Sequence, residues 1–136
     1  MRRTFLMLGA VAAVSLLAVP AAAQSDAQRK EIELAQKEAA KQLKAKLPQK
    51  IDEATTLIDV ASSGVVLAYT FSIDTTKFKQ MPPNFIELVR KNTTATVCKT
   101  DGMVNAMKAG AAYRYIYVDP QSKPLGRFDV KSTDCA

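Results

Sequence analysis

Asp52, Glu53 and Asp59 stand close together in the stretch IDEATTLID, and Ser62-Ser63-Gly64 follows them. Paired carboxylates can divide acid and base roles, and a serine can attack an acyl group once a base takes its proton. Neither route is well served here. Asp52 and Glu53 are neighbours, so on an extended strand they point to opposite faces. The sequence has no histidine, which removes the usual base near neutral pH and the commonest metal ligand. Asp119, Asp129 and Asp134 belong to turns and exposed strand faces, where carboxylates are normally solvated. No calcium-loop spacing and no glycine-rich phosphate loop occurs. These residues point to a protein that is not an enzyme and uses neither metal nor cofactor.

The remaining chemistry is in two cysteines, Cys98 and Cys135. A dithiol that does redox work usually has the spacing Cys-x-x-Cys, and these two are 37 positions apart. In an exported protein disulfides persist, and two cysteines allow a single intramolecular pairing. A structural disulfide is expected, stabilising by about 3–4 kcal/mol through loop closure and pinning the chain's end to its middle.

Export is read from the start of the chain. Arg2 and Arg3 precede an apolar run from Phe5 to Val19, and Ala21-Ala22-Ala23 supplies small residues. This is the pattern of a secretory signal peptide, residues 1–23, cleaved after Ala23. The run is too short to span a bilayer comfortably, which takes ~20 apolar residues, and no later stretch is long enough. The arginine pair also resembles a twin-arginine signal, but its short basic region and strongly apolar core favour ordinary secretion. The expected location is periplasmic or secreted, with no membrane span in the mature chain. Removal of the leader lowers the formal charge from +6 to +4. The charges are mixed in sign, which does not suit nucleic-acid binding.

The elements that position these residues follow from periodicity. Residues 24–47 hold an amphipathic helix, read over 26–47, rich in strong helix formers. Ile32, Ala35, Ala39, Leu43 and Leu47 gather on one face, and Pro48 stops it. From residue 48 to 136 the chain reads as an α+β domain, one domain with the helix. Val65, Leu67, Tyr69, Phe71 and Ile73 alternate with smaller or polar residues, the period of a half-buried strand. The strand before it has Ala54, Thr56, Ile58 and Val60 as its better apolar face, and Gly64 supplies the reversal. Asn84 precedes a helix with Phe85, Ile86, Leu88 and Val89 inward, and the chain up to Cys98 is either frayed helix or extended. Asp101 opens a short helix that ends at Gly110. A second hairpin follows, with Tyr113, Tyr115 and Tyr117 on one face of its first strand. Phe128 and Val130 lie on its return strand. The order implies an antiparallel sheet of two hairpins with helices packed on one face.

The tyrosine row has two possible homes. If Phe128 and Val130 face the helices together with Ile116 and Val118, then Tyr113, Tyr115 and Tyr117 stand on the open face. Beside Arg127 and Lys131 they would there form an interaction surface, since tyrosine and arginine favour protein contacts. The alternative is that the three rings are core beneath the first helix.

The stretches LPQKIDEATTL, LAYTFSI, VCK, MKAGAAYRYIYVD and the terminal Asp-Cys together resemble a group of small exported bacterial proteins. Its members run Leu-Pro, Val-Asp-x-x-Thr, a tyrosine-bearing strand, a cysteine, a Tyr-x-Tyr strand and a final Asp-Cys. The resemblance covers residues 47–135, with Ile51 in place of the usual valine. It implies the fold, export and the disulfide, and implies no activity. The function expected is an interaction module of the bacterial envelope whose partner is another envelope or secreted protein. The alternative is a small-molecule or lipid binder that uses a groove between helices and sheet.

Overall fold

The computed structural model describes the chain from residue 21 to residue 135, with side chains from residue 26. Most of the expected leader, residues 1–20, lies outside the described residues. The element order is α1 (Ala21–Lys44), β1 (Gln49–Lys50), β2 (Thr55–Ser63), β3 (Val66–Ile73), α2 (Phe85–Val97), α3 (Asp101–Lys108), β4 (Ala112–Val118) and β5 (Pro124–Val130). Short 3-10 turns follow β3 at Thr75–Lys77 and β5 at Ser132–Asp134. Among the described residues no helix is long and apolar enough to cross a membrane.

The five strands form one sheet in chain order. β1–β2, β2–β3 and β4–β5 pair antiparallel, whereas β3 and β4 run parallel, with Tyr69 beside Tyr115 and Phe71 beside Tyr117. The fold is therefore α+β as expected, but the sheet is mixed. A parallel junction needs a crossover connection, and the segment holding α2 and α3 supplies it.

The helices cover one face of the sheet. α1 lies against β2 and β3, α2 against β5, and α3 against the last 3-10 turn. The core between them holds Leu57, Val60, Leu67, Ile73, Val97, Met107, Phe128, Val130 and the three tyrosines of β4. α1 inserts Ala40 with Leu43 and Leu47 beside it, and it turns Ala35 to solvent. Its inward position at Gln36 is only 5% exposed, and its side-chain amide donates to Val65 O at 3.0 Å. That bond satisfies a buried polar group that would otherwise be costly.

Two local expectations are corrected, in β2 and in α2. In β2 the pairing shifts register between Leu57 and Asp59. This bulge sends Ile58 outward, 40% exposed, and leaves Leu57 and Val60 as the inward residues. In α2, Leu88 is 45% exposed. The helix continues through the β-branched stretch to Val97, and Thr96 returns its hydroxyl proton to Asn92 O. The cysteines form the expected disulfide, with Cα atoms 5.4 Å apart, inside the span a disulfide allows. It ties the end of α2 to the turn after β5.

Candidate functional site

Of the carboxylates singled out in the sequence, Asp52, Asp119 and Asp134 are occupied with backbone. Asp52 accepts from Ala54 N at 2.9 Å and Thr55 N at 2.8 Å, while Asp52 N donates to Thr55 O. The segment Asp52-Glu53-Ala54-Thr55 is thus a closed turn that delivers the chain into β2. The bond from Ala54 is the main reason the Asp52 carboxyl is held below its usual range. Asp119 accepts from Gln121 N and Lys123 N in the β4–β5 turn, and Asp134 accepts from Lys131 N. Asp129 takes two bonds from Arg114, at 2.8 and 3.1 Å. Asp59 points to solvent on the sheet face away from the helices. The fold brings no two of these carboxylates into a shared acid–base site.

The tyrosine row goes inside. Tyr113, Tyr115 and Tyr117 are 6%, 8% and 6% exposed. Cross-strand pairing sets Tyr113 opposite Val130 and Tyr115 opposite Phe128, so all five share the helix-side face. Ile116 sits opposite Arg127, and Arg114 opposite Asp129, on the open face. Val118, which follows a register shift and pairs with Pro124, is buried at 8% exposed, but the expected grouping of Phe128 and Val130 with Ile116 is reversed. The reason is desolvation: turning the other face inward would bury two guanidinium groups and a carboxylate, whereas three tyrosine rings bury large apolar area. The proposed surface of Tyr113, Tyr115, Tyr117, Arg127 and Lys131 is therefore not one surface. The tyrosines are core, and Arg127 and Lys131 are exposed at the far edge of the sheet.

What this burial creates is an aromatic floor. Tyr69 stacks on Tyr115 with centroids 5.2 Å apart, Phe71 on Tyr117 at 5.2 Å, and Tyr115 on Phe128 at 5.3 Å. Phe85 of α2 meets Tyr117 edge-on at 6.2 Å. Burial pushes the Tyr69 hydroxyl up to about 12 and raises Tyr115 further, so both stay protonated at any physiological pH. Burial also raises Tyr117, and Thr93 beside it partly offsets the rise.

The floor is only partly roofed. Tyr69 and Phe71 remain half-buried although they point to the helix side. A cleft of about 400 Å³ opens there, with Phe71, Tyr115 and Tyr117 as floor, Phe85 and Val89 of α2 as one wall, and Ile51 and Phe78 at the mouth. Ile51 is 52% exposed and Phe78 37%. An apolar trough with two large apolar residues held at its mouth can take up a matching apolar group. Sequence reasoning missed the mouth residues. Phe78 lies in a loop without periodicity, and Ile51 precedes the strand pattern.

Among the described residues, three helices on one face of a mixed five-stranded sheet, tied by one disulfide, form a fold shared with solved structures of small bacterial proteins. The pilotin EpsS of the Vibrio vulnificus type 2 secretion system superposes with a TM-score of 0.73 at 16% identity, over 82% of this chain and 97% of that one. The type II pilotin AspS of Vibrio cholerae gives 0.67 at 15% identity, over 81% and 97%. A Pseudomonas aeruginosa protein gives 0.71 at 19% identity, over 80% and 96%. At these identities the likeness is one of fold. Residues 25–136 match the family QSregVF, described as "Putative quorum-sensing-regulated virulence factor", and the chain belongs to that family. No curated protein matches the sequence.

Proposed function

We propose that this chain is an exported, non-catalytic interaction module of the bacterial envelope, periplasmic or secreted after loss of residues 1–23. Its aromatic cleft takes up an apolar segment of another envelope protein. The observation that carries this reading is the unroofed part of the core face, where Phe71 is half-buried beneath Ile51 and Phe78. Leaving such residues at a mouth costs burial energy, about 25 cal/mol for each Å² of apolar surface kept wet, and a partner's apolar side chains recover it. The carboxylates committed to turns and to Arg114 support a non-catalytic role. Two pilotins of secretion systems with the same fold support a partner in envelope assembly. The cleft volume also falls within the ~300–1,000 Å³ of small-molecule sites, which keeps a lipid or other apolar ligand as the second reading.

A photo-crosslinking amino acid at position 78, used in living cells, separates the two. The expected result is a crosslink to one envelope protein through an apolar segment. A synthetic peptide of that segment then binds purified protein, and Ile51→Glu at the mouth weakens it by at least about tenfold. A co-purifying lipid, with no peptide binding once the lipid is removed, overturns the protein-partner reading in favour of the second.

A further inference from the structure

The sheet ends at β5, and its outer side is open. β5 is last in the strand order, and its inner side is laddered to β4 from Val130 to Pro124. In an antiparallel pair only alternate residues turn their N–H and C=O toward the neighbour, so the others face outward. Among the described residues no group outside the β4–β5 ladder bonds the main chain of residues 125–130. An edge with unpaired main chain is a template for another strand.

Charge surrounds this edge on both sides. A cleft of about 400 Å³ is lined by Arg90 from α2, on the helix side, and by Arg114, Arg127 and Asp129 from the open face. Lys131 and Asp134 complete it. Residues from both faces can line one cleft only around the rim of the strand, so the cleft lies at the outer edge of β5. Asp129 is held by Arg114, and Asp134 accepts the backbone N–H of Lys131. Among the described residues Arg90, Arg127 and Lys131 make no ion pair.

We infer that β5 is a docking edge for an extended acidic segment of another protein, which joins the sheet as an added strand. Its main chain pairs with the outer side of β5, and its carboxylates meet Arg90 on one face and Arg127 and Lys131 on the other. Cations on an edge strand also discourage unwanted pairing, and that effect sharpens the inference. A second copy of β5 would bring Arg127 and Lys131 against their own like charges, so the device that rejects self-pairing selects an acidic strand. The main chain supplies affinity and the flanking charges supply choice, as in strand-addition complexes generally. This edge lies beyond β5, away from the aromatic cleft over β3 and β4, and stands on different residues.

The test uses the purified disulfide-bonded protein and a fluorescent peptide of about ten residues, long enough for a typical strand, that alternates glutamate with threonine or valine. Two control peptides carry lysine for glutamate, or N-methyl groups on the central amides that keep the charge and remove the donors. Anisotropy is read at about 50 mM and about 300 mM salt, on either side of physiological screening. The glutamate peptide binds and weakens with salt, the lysine peptide does not bind, and N-methylation lowers affinity by at least about tenfold. The double variant Arg127→Glu/Lys131→Glu, at two exposed positions, loses binding while keeping its circular dichroism and melting temperature. Ile51→Glu leaves binding unchanged. Equal binding of the N-methylated peptide overturns the inference, because it reduces the edge to an anion patch. Absence of binding by the glutamate peptide, or sedimentation showing a dimer joined through β5, overturns it as well.

Discussion

Asp129 accepts both of its charged hydrogen bonds from one guanidinium, that of Arg114 on the neighbouring strand. Those bonds, with smaller help from Arg127 and Lys131, hold its carboxyl below the ordinary 3.8. A carboxyl whose folded pKa is depressed contributes stability that is present above the unfolded pKa. That contribution is lost as pH falls through the lower folded value. The pair is 33% and 41% exposed, so solvent screens it and its worth at neutral pH is about 1 kcal/mol or less. Asp129→Asn is therefore expected to lower unfolding stability by that amount at pH 7, measured by urea denaturation, with the gap closing as pH falls through the depressed folded value. A gap that stays constant with pH would mean that the asparagine acts through something other than the charge. The sequence revealed Asp129 as an exposed strand carboxylate but not its partner. Arg114 is 15 positions away, and only the β4–β5 register brings the two together. Tyr115 makes the same point in reverse. Alternation divides β4 into two faces, each with apolar residues, and does not say which one is buried. The neighbours decide it, because Tyr69 and Phe128 stack on Tyr115 from both sides.

Local patterns carried most elements of the fold. The alternation in β3, the helix-forming composition of α1 and the glycines at 64 and 110 are all short-range signals. They mark elements that form largely where expected. The bulge in β2 was not legible, because one extra residue at Ile58 shifts the inward set without leaving a compositional mark. Gly126 is a further case. It lies within β5 with φ at +152°, and a Cβ placed on it would sit 2.4 Å from Ile86 Cγ1 and 2.8 Å from its Cδ1. α2 approaches the sheet there closely enough to require the missing side chain. In sequence this glycine looks like part of a turn. Gly126→Ala both strains the backbone and overpacks against a stiff β-branched neighbour. The expected loss is about 2–4 kcal/mol, read from chemical denaturation, and Ile86→Ala in the same background should restore part of it by opening space. Equal stability of Gly126→Ala and the parent would show that α2 can lift from β5 at little cost.

The whole molecule is two local units joined at a parallel seam. α1, β2 and β3 are contiguous in sequence and pack on one another, while α2, α3, β4 and β5 follow as a second run. The seam between β3 and β4 was not legible, since parallel pairing across a crossover leaves no local signature and two hairpins in series read equally well as antiparallel. The bond between Cys98 and Cys135 was legible, because two cysteines in an exported chain leave one pairing, and its position gives it a specific job. It joins the C-cap of α2 to the residue that closes the last 3-10 turn, which also touches α3. Both tethered segments belong to the second unit, so the bond restrains the crossover helices against β5 and does little for α1 and the β2–β3 hairpin. Replacing both cysteines by alanine should cost about 2–4 kcal/mol of global stability. The loss should also be uneven in native-state hydrogen exchange, where locally weakened segments open below the global limit. Amides of α2, α3 and the chain after β5 are expected to exchange faster by the largest factors, while those of β2 and β3 fall only by the global amount. A uniform drop across both units would refute this division, and would mean that the parallel seam couples them too tightly for either to open alone.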